Sequence, residues 1–457
     1  MTLYEGRMGN VKNDLMDAIN RSLPVDLRLL PFDLMTNSAW ADELEQIGVL
    51  TEDENESIQS AIQSIFDELE AGYFDSIPPD EDVHTLTERL LVEKIGAVGA
   101  KIHTGRSRND QVVCDLRLMM MHFVKQLKQN LAETVKTLHR VAEEHKATLM
   151  AGETHLQPAL PITLGQFLLS LAFGLYRDIE ALDSVYEVVG VCPLGAGAMA
   201  GSGFPVDRNR LAENLGFPEA SDNSVDAVSD RDFVQDLAYV ISRIAVRISR
   251  YAEQFTIWAN PNYGYVRFAD DWSTGSSMMP QKRNPDAMEL IRGKAARCIG
   301  NLTTLLTLTK GLPLSYAKDL QEDKEPLFDS MDNISLVVAV FEKAVGSATF
   351  NPDAMKQRLD GNMLATDLAD ALTKTGMPFR EAHKRVGQLV SKLENEGRKL
   401  LDATEKELTL QFPEFKGKLP ELSFEASIEA RDVLGGTAPS RVQEQLNLLN
   451  VYLKNLE

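Results

Sequence analysis

The stretch 112–149, VVCDLRLMMMHFVKQLKQNLAETVKTLHRVAEEHKATL, decides the fold. Its apolar residues recur at Leu116, Met120, Phe123, Leu127, Leu131, Val135 and Leu138, in steps of three or four, which is the period of one helix face. Comparable periodic stretches run over 163–189, 233–259, 286–312 and 326–350. Each exceeds the mean globular helix of about 11–12 residues. Five such helices predict a mainly α protein built on a long bundle rather than a compact α/β domain. The segments FLLSLAFGLY and ISLVVAVF are apolar on more than one face. A helix apolar all round must be buried, and its surplus face invites subunit association. An oligomer with a multi-helix core is therefore expected.

Outside the long helices the chain reads differently. Residues 1–111 hold shorter helical pieces broken by Pro24, Pro31, AGYFDSIPPD and GAVGAKIHTG. Residues 362–457 again carry short helices, with a strand-prone patch near TLQFPEF. A chain of 457 residues has room for two or three domains. The expected division is 1–111, 112–361 and 362–457.

Composition excludes several classes of function. The hydrophobic fraction of 44% and charged fraction of 25% are those of an ordinary globular protein. A net charge of −21 argues against nucleic acid and against an anionic membrane surface as partners. It leaves an anionic substrate open, because a local field can oppose the net charge. Cys114, Cys192 and Cys298 are odd in number and far apart, so neither a disulfide framework nor a Cys-rich zinc site is expected. The first residues, MTLYEGRMGNVKND, carry charge where an export signal has its apolar core, and a cytoplasmic location is expected. The uncharged stretch 155–176 has about membrane length. It contains Gln157, Pro158, Pro161 and Gln166, and its apolar part reads as a buried helix.

Four stretches are polar where the neighbouring helices are apolar. In HTGRSRND, 103–110, Arg106 and Arg108 lie beside Thr104, Ser107 and Asn109 at an expected helix start. Helix N–H groups together with arginine favour a carboxylate or phosphate; the plainer reading is a capped helix with solvated arginines. In GETHLQP, 152–158, His155 can exchange a proton near neutral pH, or simply cap a helix. The other histidines show no metal-ligand spacing along the chain, so no metal is expected. In PLGAGAMAGSGFP, 193–205, Gly195-x-Gly197-x-x-Ala200 imitates a dinucleotide fingerprint. No βαβ context surrounds it, and a tight glycine-rich turn is the preferred reading.

The fourth stretch is STGSSMMPQKRNPD, 273–286, which follows neither helix nor strand period. Gly275 frees the backbone, Ser276 and Ser277 bring hydroxyls, and Lys282, Arg283 and Asn284 bring donors to an oxyanion. Neither Gly-x-Ser-x-Gly nor Ser-x-x-Lys is present, so the hydroxyls do not advertise acyl transfer. Glu289 follows on the next helix, placed to orient a histidine from another helix.

Taken together these motifs resemble the argininosuccinate lyase branch of the fumarase/aspartase superfamily. GSSMMPQKRNP fits the long pattern G-S-x-x-M-P-x-K-x-N. HTGRSRNDQ, THLQP, PLGAGAMAGSGFPVDR, NSVDAVSDRDFV and LPLSYAKDLQEDKEPLFD resemble the branch within it, and ATDLADAL, PFREAH and ARDVLGGTAP extend the match toward the C-terminus. The resemblance implies a mainly α, three-domain fold with a twenty-helix core in a homotetramer. Each active site would be shared among three subunits and use no metal or organic cofactor. It implies reversible elimination of arginine from argininosuccinate, releasing fumarate.

By that resemblance Ser276 is the base, and Lys282 and Asn284 stabilise the carboxylate charge. The methionines of the loop would pack it, closed, against an apolar wall. His155, paired with Glu289, serves the leaving guanidino group. Arg108, Asn109 and Thr154 would hold the succinyl carboxylates, with Ser22, Tyr316, Gln321 and Lys324 as remaining substrate contacts. The sequence departs from the branch in keeping only Gly6-Arg7 of its N-terminal motif, in Glu153 where tyrosine is usual, and in Pro158 and Leu160. Two other readings compete. One is a sister lyase releasing fumarate from another N-substituted aspartate; the other is a non-catalytic protein like the lens δ-crystallins. The second predicts damage to the catalytic set, yet all of its residues are present.

Overall fold

The structure, a computed structural model, describes residues 13–455. Gly6 and Arg7 lie outside the described residues. After two short helices, Asp14–Asn20 and Leu23–Asp26, come α1 Leu30–Gln46, α2 Glu52–Glu70 and α3 Val83–Ile95. The five long helices follow where the periodicity places them: α4 Arg108–Glu144, α5 Leu164–Val189, α6 Asp232–Ala259, α7 Asp286–Thr309 and α8 Lys324–Gly346. Among the described residues no helix is long and apolar enough to cross a membrane.

Local chemistry sets the boundaries. The side chain of Thr51 accepts from Glu54 N and the Glu54 carboxylate reaches back, a capping box that starts α2. Helix α4 begins earlier than its apolar stripe because Ser107 Oγ accepts from Asn109 N at 3.2 Å. Thr163 Oγ1 accepts from Gln166 N at 3.2 Å and starts α5 in the same way.

Between α4 and α5 the chain forms a hairpin, in which β1 Leu149–Thr154 pairs antiparallel with β2 Gln157–Thr163. One expectation needs correction. The apparently strand-prone TLQFPEF is helical, Glu405–Gln411 followed by a 3-10 turn at Pro413–Phe415. Thr404 and Glu407 form a capping box there, and Phe412 and Phe415 are buried among Leu368, Leu372 and Leu389. Burial of these apolar side chains by tertiary packing overrode the local preference.

Contacts divide the chain into two compact units, and each long helix gives one stretch to each. The first comprises residues up to Lys128, Glu180–Ser242 and Arg297–Asn333; the second comprises Gln129–Ile179, Arg243–Ala296 and the residues from Ile334 onward. In the first, Trp40 is fully buried with Leu34, Leu44, Ile58 and Leu86, and its indole N–H donates to Thr104 O at 3.0 Å. In the second, Phe255 stands among Trp258, Phe268, Phe341 and Phe350, with ring centroids 5.7 to 6.4 Å from its own. Large apolar side chains remain exposed on the long helices, among them Tyr239, Leu290, Leu306 and Leu336.

Candidate active site

The second unit carries the serine loop. Two-residue strands Thr274–Gly275 and Arg283–Asn284 pair antiparallel and hold it as a hairpin. Its base is tied down: Thr274 bonds Asp286, while Arg283 bonds Asp270 and donates to Phe268 O at 2.6 Å. At the tip, Ser276 Oγ accepts from Met278 N at 3.2 Å and Met279 N at 3.0 Å. Two N–H dipoles therefore converge on the hydroxyl oxygen, an arrangement that favours negative charge on it. Asn284 Nδ2 donates to Thr274 Oγ1 at 3.4 Å, and Lys282 is exposed with no ion pair among the described residues. Met278 is 86% exposed, so the apolar packing expected for the two methionines is not made within this chain.

The same unit carries Thr154 and His155 at the tip of the β1–β2 hairpin. His155 and Leu156 form a two-residue turn with φ of 55° and 59°. This is the twist a tight hairpin demands, and for residues other than glycine it is strained. The turn projects His155 into solvent rather than capping a helix. Below it lies a cavity of about 300 Å³ lined by Glu153, Thr154, Leu160, Phe167 and Trp258. Burial raises the Glu153 pKa above its ordinary value, and Arg358 opposes this in part. Glu289 lies in the first turn of α7 with its carboxylate 3.5 Å from Arg292. The expected His155–Glu289 pair is not made within one chain.

The first unit carries the remaining candidates. Arg108 opens α4 and donates Nη1 to Asp82 Oδ2 at 3.0 Å; among the described residues its buried Nη2 makes no hydrogen bond and lies 3.9 Å from Glu88 Oε2. Burial works against the charge on Asp82, but His84 and Arg108 outweigh it and hold the pKa below the usual range. Asn109 Nδ2 donates to Ala198 O at 3.1 Å, in the glycine-rich turn. That turn is what the sequence suggests: Gly195, Gly197 and Gly201 have φ of 89°, 62° and 86°.

His103 sits just before this start. Burial, then the charges of Arg106 and Arg108, push it down from 6.5 to about 4. The fold thus favours neutral imidazole, a contribution complete above pH 6.5 and lost as pH falls toward 4. Asp110, which burial pushes up to about 6, takes up its proton earlier and works in the opposite sense. Replacing His103 by Asn should flatten the decline of the urea midpoint between these pH values. An unchanged slope would locate the acid sensitivity elsewhere.

Ser22, Tyr316, Gln321 and Lys324 meet around a buried charge cluster. Ser22 bonds Asp26, whose other oxygen, Oδ1, lies 4.0 Å from Lys324 Nζ. Lys324 donates to Asp323 Oδ1 at 3.2 Å, and Arg231 bonds the other oxygen of Asp323. Gln321 Nε2 donates to Asn20 O at 3.3 Å. Burial disfavours the Lys324 charge, but Asp323 and Asp26 outweigh it and raise the pKa. Burial raises the Tyr316 pKa, partly opposed by Lys324 and Arg231.

Sequence spacing missed several partners: Asp26, Asp82, Arg231 and Asp323. Asp323 lies inside the YAKDLQEDK motif, and Asp26 follows Ser22 by one helical turn, so both were within reach. Asp33, His84 and Asp115 also come together, with possible ligand atoms within 4.8 Å of one another. His84 Nδ1 lies 2.8 Å from Asp33 Oδ1, Gln111 also donates to Asp33, and Thr36 Oγ1 donates to Asp115 Oδ1 at 2.6 Å. Burial pushes the Asp115 pKa well up, and the neighbouring Asp33 carboxylate adds to this. The three side chains, with Gln111 and Thr36, form a buried polar cluster at α4.

A lyase family model matches residues 6–300, and an argininosuccinate lyase C-terminal model matches residues 362–429. The argininosuccinate lyase of Herpetosiphon aurantiacus is 43% identical over 444 residues, covering 97% of this chain and 98% of that one. That of Chloroflexus aurantiacus (strain J-10-fl) is 44% identical over 445 residues, covering 97% and 96%. Among solved structures, EDDS lyase in complex with formate superposes with a TM-score of 0.83 at 26% identity, covering 96% and 89%. The fold and these matches thus define a carbon–nitrogen lyase with a fumarase/aspartase-like fold. Within that class, the chain belongs to the argininosuccinate lyase family.

Proposed function

We propose that the protein reversibly eliminates L-arginine from argininosuccinate and releases fumarate. The observation that carries this reading is identity of 43–44% across 97% of the chain with argininosuccinate lyases. The reaction removes a weakly acidic proton from the carbon beside a carboxylate and passes through a dianionic, aci-carboxylate-like intermediate. It needs a base, and fixed donors where charge develops.

Ser276 is the proposed base. A serine hydroxyl is a poor base in water and works here only as a stabilised alkoxide. The two N–H groups directed at Ser276 Oγ support that role. Lys282, with no ion pair of its own, and Asn284 stabilise the developing charge. Arg108, whose Nη2 makes no hydrogen bond among the described residues, binds a succinyl carboxylate together with Asn109 and Thr154. Ser22, Tyr316, Gln321 and Lys324 complete the substrate contacts. His155 serves the leaving nitrogen, oriented by Glu289.

The proposal includes a homotetramer in which three subunits build each site. The apolar residues left exposed on the long helices support it, as does the absence of a His155–Glu289 contact within one chain. The three-segment division, 1–111, 112–361 and 362–457, also belongs to it, supported by α4 starting at Arg108 and α8 ending at Gly346. A cytoplasmic location is supported by Cys114, Cys192 and Cys298, which form no disulfide.

The deciding experiment mixes pure protein with argininosuccinate, adenylosuccinate, aspartate or malate and follows fumarate absorbance. Fumarate is expected from argininosuccinate. No fumarate from it, with release from another N-substituted aspartate, would transfer the assignment to a sister lyase. Glu153, beside Thr154, is the residue that such a result would implicate.

A further inference from the structure

The glycine-rich turn and the start of α4 are far apart in sequence and joined along a continuous seam. Asp110 is fully buried, and its carboxylate accepts three backbone N–H groups: Ser107 at 3.1 Å, Gly195 at 3.0 Å and Gly197 at 2.8 Å. One oxygen thus takes both N–H groups of the turn, while the other closes the first turn of the helix. On either side, Asn109 Nδ2 donates to Ala198 O at 3.1 Å and Ser202 Oγ donates to Gly105 O at 2.6 Å. Gly105 lets Phe204 close in: a Cβ added there would stand 2.7 Å from the ring. The turn can present its N–H groups this way because Gly195 and Gly197 adopt left-handed backbone.

Arg108 and Asn109, which precede Asp110 directly, make no other bond to the turn that would set the helix start so closely. Arg108 is held from its opposite side by Asp82. The seam therefore sets where the guanidinium and the amide stand.

We propose that Asp110 is a positioning residue, whose buried carboxylate clamps the 193–204 turn to the start of α4 and so aims Arg108 and Asn109 at the substrate carboxylates. The role rests on the substrate reading given above. Asp110 touches no substrate atom and acts only through its two neighbours. Replacing the carboxylate by an amide turns one acceptor into a donor facing N–H groups, and the seam must open there.

The test uses the full chain and fumarate as the probe. Asp110→Asn should raise KM for argininosuccinate and the fumarate Kd by about tenfold, with kcat changed less than about threefold. Amide hydrogen exchange at Gly195 and Gly197 should accelerate in the same variant. In an Arg108→Ala, Asn109→Ala background, adding Asp110→Asn should have little further effect, because it acts only through those two side chains. Independent, multiplying effects would overturn the proposal, and so would a fall in kcat alone with unchanged fumarate binding. If Asp110→Asn fails to fold, Ser202→Ala cuts the same seam more mildly. It should raise KM and Kd together by about two- to fivefold, and no change would count against the role. Wild-type protein that neither binds nor releases fumarate would sink the substrate reading and this role with it. Active wild type with an indistinguishable Asp110→Asn variant would sink this role alone.

Discussion

Ser276→Ala should lower turnover of argininosuccinate by about a hundred- to ten-thousand-fold while the protein stays folded. Among the described residues the hydroxyl bonds only to the two N–H groups of its own loop, Met278 and Met279, and both residues are exposed. Water replaces the lost acceptor, so the urea midpoint should move by no more than about 0.5 kcal/mol of stability. The decisive comparison is between rate and KM. A base acts in the transition state, so kcat should collapse with little change in KM. A variant retaining wild-type turnover would move the base elsewhere, with Ser277 and His155 the next candidates.

The second large effect is on stability. Arg231 is 4% exposed and Asp323 is 1% exposed, and the two are bonded in the core of the first unit. Arg231→Met would leave Asp323 buried with only Lys324 to compensate it. Removing one partner of a buried pair typically costs about 3–5 kcal/mol, a large part of the roughly 5–15 kcal/mol that stabilises a domain. The pH dependence has a definite sign. Burial raises the Asp323 pKa, but Lys324 and Arg231 outweigh it and set it below the ordinary 3.8. Its contribution is therefore present above that value and lost as pH falls below it. Arg231→Met should reduce this acid-side loss as well as the midpoint, both read from urea unfolding at several pH values. A loss under about 1 kcal/mol would mean that Lys324 alone satisfies the carboxylate.

How far the sequence could be read depended on the range of the interaction involved. The stripe from Leu116 to Leu138 is a local property, because side chains three and four apart share a face whatever surrounds them. All five long helices were legible for that reason. The serine loop was legible differently: GSSMMPQKRNP is a dense set of unusual residue types, and such density survives without knowing any contact. The hairpin at His155 was not legible. Its strands contain Pro158 and Pro161, and its turn holds His155 and Leu156 where Asn-Gly would advertise a reversal.

The sequence by itself determined the helical bundle, the family and the identity of the candidate catalytic groups. These rest on periodicity along one chain and on contiguous motifs. Only the tertiary structure decided which charge meets which. Arg108 faces Asp82, Lys324 lies between Asp323 and Asp26, and Asp110 takes the N–H groups of Gly195 and Gly197. Apart from the neighbours Lys324 and Asp323, these pairings join residues far apart in the chain. Their energies depend on burial and on distances of about 3 Å, neither of which has any signature in residue order.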